Sequence, residues 1–306
     1  DEFRELIIPR KKYYKFFNFF YKLIKKILFK IYKLNNNNKF KKLLQKKYQL
    51  PAHKIIEYDH HLSHAATFGY FKDYDQNEKY LVFTMDGEGD YKSSTVNILE
   101  KNFFKVISEN DSEVSLGYFY SHLTFYLGLK AGEHEFKVMG LAPYAKKSKS
   151  ELIKKNLNRL IWIDEKGRFS SSTQSGNFIY EFIDIFKLKR FDDVARASQE
   201  FLEELVKEWI NFWIKKTNIN KIAVGGGVFM NVKLNKIIHE MNNVDFFFPI
   251  PSCTDDSLPI GGAFLENIKN NIEIKKIDNL YFGRKFIPNN IKDLITTDYI
   301  QKNFII

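Results

Sequence analysis

Cysteine is almost absent: Cys253 is the only one in 306 residues, so no internal disulfide can form and the usage fits a reducing compartment. Long apolar runs are missing too. No stretch of about 18 uncharged apolar residues exists, so no helical membrane span is expected. The opening Asp1-Glu2-Phe3-Arg4 is charged and lacks the apolar core of a secretory signal, and a soluble, cytoplasmic chain is the expectation. Neither a P-loop signature nor the GxGxxG of a classical dinucleotide fold occurs, and no repeat of solenoid period is visible.

Positive charge is concentrated in one region that has no acidic residue. Residues 10–47 carry fourteen of the 48 Lys and Arg and no Asp or Glu, leaving 34 basic residues against all 37 acidic ones elsewhere. The net charge of +11 therefore belongs to one segment, and the rest is nearly neutral. Phe16, Phe17, Phe19, Phe20, Tyr21, Leu23, Ile24, Ile27, Leu28 and Ile31 interleave with its lysines at roughly helical spacing. Such a helix can lie on an anionic membrane or a polyanion; the favoured reading is a surface helix packed by its apolar stripe, with solvated lysines. Asn35–Asn38 breaks it from a second helix, Phe40 to Tyr48.

From Tyr80 the pattern becomes strand-like. Tyr80–Met85 reads as a buried strand, with Ser94–Leu99 as its hairpin partner across Asp86-Gly87-Glu88-Gly89. Residues 115–130 predict a helix with an apolar, buried face. Residues 192–216 predict an amphipathic helix opened by Asp192 and Asp193 and closed by Lys215 and Lys216. Lys221–Val224 is a short strand running into Gly225-Gly226-Gly227 and a helix from about Val228. Val244–Ile250 is a further strand, and a helix containing Gly261-Gly262-Ala263 follows. Strands alternating with helices make this an α/β protein.

Three of the seven histidines fall in His60-His61-Leu62-Ser63-His64. In a helix, His60 and His64 share one face, within reach of a single ion; the alternative is a pair of ordinary helix residues. Asp86 and Asp255 each follow an apolar strand, where carboxylates commonly hold a cation and, through it, nucleotide phosphates. Two imidazoles and two carboxylates suit iron, zinc or manganese better than calcium. Gly225–Gly227 between strand and helix permits close approach of backbone amides to phosphate or a purine face, or is only a tight turn. Asn231 and Asn235, four apart, can bond a ribose or base, or be exposed amides. Ser93, Ser94 and Thr95 can donate to phosphate or merely shape the hairpin, and Lys137 is a candidate charge for a phosphate or carbamoyl-type oxygen, or a solvated surface lysine.

Taken in order, HHLSHAA (60–66), DGEG (86–89), SLGYFYSHLTFYLG (115–128), EFKVMGLAPY (135–144), GGGVFMNVKLN (225–235) and PSCTDDSLPIGGA (251–263) resemble the O-carbamoyltransferases of the nodulation-protein U and antibiotic-carbamoylation type. The resemblance implies an actin/Hsp70/sugar-kinase-like (Kae1-like) nucleotide-binding α/β fold. It implies that His60, His64, Asp86 and Asp255 bind a metal, usually Fe(2+), and that Gly225, Gly226, Gly227, Asn231 and Asn235 form the adenosine and ribose side of the cleft, with ATP as the nucleotide. Chemistry of that family starts from carbamoyl phosphate and ATP, passes through a carbamoyl-adenylate and ends on a hydroxyl of a small molecule or glycan. No DNA partner is implied, and a homodimer is compatible.

The chain also departs from the family. Nothing in Asp1–Phe20 matches its opening strand and His-Asp turn, so the fold is expected to be incomplete at the N-terminus. Tyr281–Phe286 resembles the entry to the family's YrdC-like C-terminal domain, which is expected to be missing or supplied in trans. The expected organisation is a basic helical segment (1–56), a first lobe with the metal site (57–190), a second lobe with the glycine block (191–280) and the start of the missing domain (281–306). The alternatives are a tRNA threonylcarbamoyltransferase-like subunit, with the basic segment on RNA, and a non-catalytic nucleotide- or metal-binding remnant.

Overall fold

The computed structural model describes residues 39–173, 177–281 and 283. The first basic helix and the expected C-terminal entry segment beyond Gly283 lie outside the described residues; 39–48 are helical, as expected for the second basic helix.

A five-stranded sheet is the centre of the molecule. Its strands are β1 (Lys79–Gly89), β2 (Lys92–Glu100), β3 (Phe103–Asp111), β6 (Lys221–Gly225) and β7 (Phe246–Pro249), ordered β3-β2-β1-β6-β7. The first three form an antiparallel meander, while β6 lies parallel to β1 and β7 parallel to β6. A separate hairpin pairs β4 (Ile161–Ile163) with β5 (Phe169–Ser171).

The continuous apolar run of β1 is explained by burial on both faces. Leu81, Phe83 and Met85 enter one core cluster, and Tyr80 and Val82 the other. The larger cluster is covered by α2 (Leu116–Tyr126), α4 (Lys147–Leu157), α5 (Ile179–Phe186) and the 27-residue α6 (Phe191–Thr217). Trp209 of α6 stands edge-on to Phe83, ring centroids 4.9 Å apart. Asn218, at φ 56°, caps α6 in the left-handed conformation. The opposite face is covered by α1 (His60–Thr67) and by Phe68, Phe71 and Tyr74 after it, and α8 (Leu258–Lys269) packs on α1 where Gly261 meets Ser63: a Cβ on Gly261 would lie 1.7 Å from the Ser63 carbonyl oxygen.

Three sequence expectations need correction. The hairpin does not reverse at Asp86–Gly89. It reverses at Asp90 and Tyr91, at φ 51° and 67°, in keeping with a primed two-residue turn. The glycines instead allow an irregularity in β1: Met85 pairs with Ser94 and Gly89 with Lys92, so three residues oppose Ser93 alone. The helix expected over 115–130 ends at Tyr126, and Gly128 beyond it has φ 76°. The helix after the glycine block begins as a 3-10 turn, Gly227–Met230, and restarts as α7 (Val232–His239) with Asn231 as its N-cap.

Candidate metal centre and cleft

The centre is assembled from three distant parts of the chain. Helix α1 supplies His60 and His64 one turn apart. Its N-terminus is fixed by Asp59, whose carboxylate accepts from the Leu62 amide (2.9 Å) and pairs with Lys92 (2.8 Å), while the His60 amide donates to Asp90. The β1 irregularity delivers Asp86, and the 3-10 turn before α8 delivers Asp255. One donor atom from each of these four residues lies within 4.8 Å of all the others.

The separations are compatible with a shared coordination shell. His60 Nε2 and His64 Nε2 are 3.1 Å apart; His64 Nε2 is 3.2 Å from Asp86 Oδ2 and 3.5 Å from Asp255 Oδ1; the corresponding His60 distances are 3.9 and 3.6 Å. A first-row ion with bonds of about 2.1 Å needs tetrahedral edges near 3.4 Å, so the four atoms fit such a group. His64 is fully buried, and its Nδ1 faces Ser257 Oγ at 3.4 Å, which leaves Nε2 to point at the shared space.

Asp86 is held from behind. Its Oδ1 accepts from the Gly87 amide (2.6 Å) and its Oδ2 from the Gly227 amide (3.1 Å). Burial opposes its ionisation, yet the bonds from His60, His64 and these amides hold it far below the usual carboxylate range. For His60, burial favours the neutral ring, but Asp86 and Asp255 override it and raise its pKa. Gly226, at φ 93° and ψ 154°, brings the glycine block onto β1: a Cβ there would lie 2.4 Å from the Met85 carbonyl oxygen.

Asp86 and Asp255 also line a cleft of about 520 Å³. Its walls include Tyr118 and Tyr120 of α2, Phe136 and Met139 of α3 (Glu135–Leu141), Leu202 of α6, and Gly227 and Asn231. Among the described residues no Lys or Arg lines it. Of the five residues expected on the nucleotide side, Gly227 and Asn231 line the cleft, whereas Gly225, Gly226 and Asn235 do not.

Asn231 is largely committed within the protein. Its Oδ1 accepts from Leu234 N and Gln199 Nε2, and its Nδ2 donates to Gln199 Oε1. Asn235 donates to the Phe229 carbonyl, and its Oδ1 is buried with no partner. Lys137 is exposed on α3, its Nζ 5.8 Å from the Phe136 ring centre.

One residue beneath the cleft escaped sequence reasoning. Gln199, buried in α6, also accepts from the Tyr120 hydroxyl (2.7 Å), joining both helices to Asn231 beneath the cleft. Its signal was a glutamine on the buried stripe of an amphipathic helix. Ser93, Ser94 and Thr95 are buried and bonded within the sheet region: Ser93 donates to the Asp111 and Val114 carbonyls, Ser94 accepts from Asn110, and Thr95 bonds Thr84. The hairpin-shaping reading of these three is the one the geometry follows.

Cys253 lies beside this region, donating to the Ile250 carbonyl, and burial pushes its thiol up to about 12. The folded chain is expected to resist thiol reagents at about pH 8 and to release one reactive thiol in denaturant. Rapid labelling of native protein would show that the Ile250–Cys253 turn opens.

A family model described as Carbamoyltransferase N-terminus matches residues 11–264. An uncharacterized protein of Methanocaldococcus jannaschii is 27% identical over 92% of this chain and 51% of its own length. Nodulation protein NolNO of Sinorhizobium fredii is 25% identical over 75% of this chain and 34% of its own length. The chain thus spans about half, or less, of the length of these relatives. A crystal structure of full-length HypF in the phosphate- and nucleotide-bound form aligns with a TM-score of 0.46 and 15% identity, covering 74% of this chain and 45% of that one.

Proposed function

This chain belongs to the carbamoyltransferase N-terminus family, and we propose that it is the core that moves a carbamoyl group from a carbamoyl-adenylate, made from carbamoyl phosphate and ATP, to a hydroxyl of a small molecule or sugar. Its α/β sheet is that of the Kae1-like nucleotide-binding fold, and among the described residues no helix is long and apolar enough to cross a membrane. The observation that carries the reading is the convergence of His60, His64, Asp86 and Asp255 at a cleft that two of them line.

In this reading those four side chains hold a divalent first-row metal, iron being the family's usual choice, which when bound supplies Lewis acidity toward a phosphate or acyl oxygen. The chain's own residues position and shield. Gly227 and Asn231 present the glycine block to the nucleotide, and the Tyr120–Gln199–Asn231 network keeps that wall rigid. Burial holds the Tyr120 phenol well above its ordinary range, so it stays a proton donor. Tyr118, Phe136, Met139 and Leu202 supply apolar walls that exclude water from a carbamoyl group prone to hydrolysis. Lys137, on the helix that carries Phe136 and Met139, is the candidate cation for a phosphate or carbamoyl oxygen, though it does not line the cleft.

The test supplies radiolabelled carbamoyl phosphate, ATP, ferrous iron and a separately expressed adenylate-forming domain, with a panel of sugars and polyols. Label is expected in an acceptor fraction only when this chain is present. Metal-dependent nucleotide binding without any transfer would favour the non-catalytic reading instead.

A further inference from the structure

His61 stands between the two metal-side histidines in sequence, yet its ring turns away from their shared space into the protein and is fully buried. Its Nε2 lies 3.0 Å from the Lys92 carbonyl oxygen and its Nδ1 2.8 Å from Thr84 Oγ1. A carbonyl can only accept, so Nε2 carries the proton and Nδ1 is the acceptor. In that tautomer the ring bridges α1 to both strands of the β1–β2 hairpin, Thr84 on β1 and Lys92 on β2.

The tautomer sets the direction of a longer relay. Thr84 spends its one hydroxyl proton on His61. Thr95 Oγ1, 2.7 Å from Thr84 Oγ1, must therefore be the donor between the two hydroxyls, and Asn97 Nδ2 donates to Thr95 Oγ1 at 2.8 Å. His61, Thr84 and Asn97 are fully buried and Thr95 is 2% exposed, so water does not compete for these bonds. Thr84 lies two residues before Asp86 on β1, and His61 lies between His60 and His64 on α1. The bond between them joins the two ligand-bearing elements right beside their ligands.

We infer that His61, held by Thr84 and Thr95, is a positioning residue that fixes the distance and rotation of α1 against β1, and so presets His60 and His64 for the same ion as Asp86. The inference rests on the metal-site reading above. A buried histidine that only fills the core would contribute to stability and leave the ligand geometry alone.

The two roles separate by measuring metal affinity and apo-protein stability on the same samples. Zinc or manganese is titrated calorimetrically into metal-free full chain, with thermal unfolding of that metal-free chain in parallel. Thr84→Val keeps the shape of the side chain but removes the hydroxyl, and is expected to bind metal about 10- to 100-fold more weakly, the range typical of outer-shell partners. Thr84→Ser restores the donor and is expected to return affinity to within about threefold of wild type. Should Thr84→Val fail to fold, Thr95→Val, one bond further out, is expected to weaken binding by at least about threefold. Equal affinity of a folded Thr84→Val chain and wild type overturns the inference, whatever its unfolding temperature. A wild-type chain that binds neither metal overturns the metal reading itself, a different result.

Discussion

Replacing His64 by alanine is expected to reduce metal affinity by more than about 100-fold, beyond what loss of an outer-shell partner costs. His64 is within 3.5 Å of the other three donor atoms and completely buried, so its loss removes a preset imidazole donor from the middle of the group. The same substitution opens a polar void between α1 and the 3-10 turn before α8, so a loss of stability accompanies it. Asp255→Ala separates the two effects. Its side chain is 71% exposed, and its removal should weaken metal binding while leaving unfolding within about 0.5 kcal/mol of wild type. Metal content by elemental analysis and unfolding in urea decide both points. Full retention of metal by both variants would remove the centre from any account of this protein.

The second large effect is expected at Gly226. Its φ of 93° and ψ of 154° lie in a region that side-chain-bearing residues essentially do not occupy, and a Cβ would press on the Met85 backbone at 2.4 Å. Gly226→Ala should therefore cost about 3 kcal/mol or more, combining backbone strain with a clash that only movement of β1 or the glycine block can relieve. The control is Gly140→Ala in α3, where nothing lies within 4 Å of the new methyl and helix propensity predicts a gain of about 0.5–1 kcal/mol. Equal urea midpoints for Gly226→Ala and wild type would mean that the close approach to Met85 does not exist in solution.

What could be read in advance follows the range of the interactions involved. β1 and β6 were legible because burial on both faces leaves an uninterrupted apolar run, and α6 because a long amphipathic stripe ends in lysines. The four candidate ligands were legible because their chemistry is unusual for the positions they occupy: two histidines one turn apart, and carboxylates just past apolar strands. β3 was not. As an edge strand its exposed side carries Phe103 and Lys105, and its assignment depends on pairing with β2 rather than on its own pattern. The reversal at Asp90-Tyr91 was hidden behind more conspicuous glycines, which serve the β1 irregularity. Asn231 was placed on a helix when it caps one, and its commitment to Gln199, 32 residues earlier, is a tertiary fact with no local signature. His61 was passed over for the same reason, since its partners Thr84 and Lys92 lie on a hairpin 23 and 31 residues away.

The double attachment of Asp86 has a thermodynamic consequence. One oxygen of this carboxylate both faces the imidazoles and accepts from the Gly227 amide, so any displacement of the glycine block is felt at the centre and any change at the centre is felt at the block. Free energies of binding at two such places are linked and reciprocal: whatever factor an ion adds to the affinity for an occupant of the cleft, that occupant must add to the affinity for the ion. A shared hydrogen-bond acceptor thus makes the two equilibria one, and the same factor should be measurable from either side.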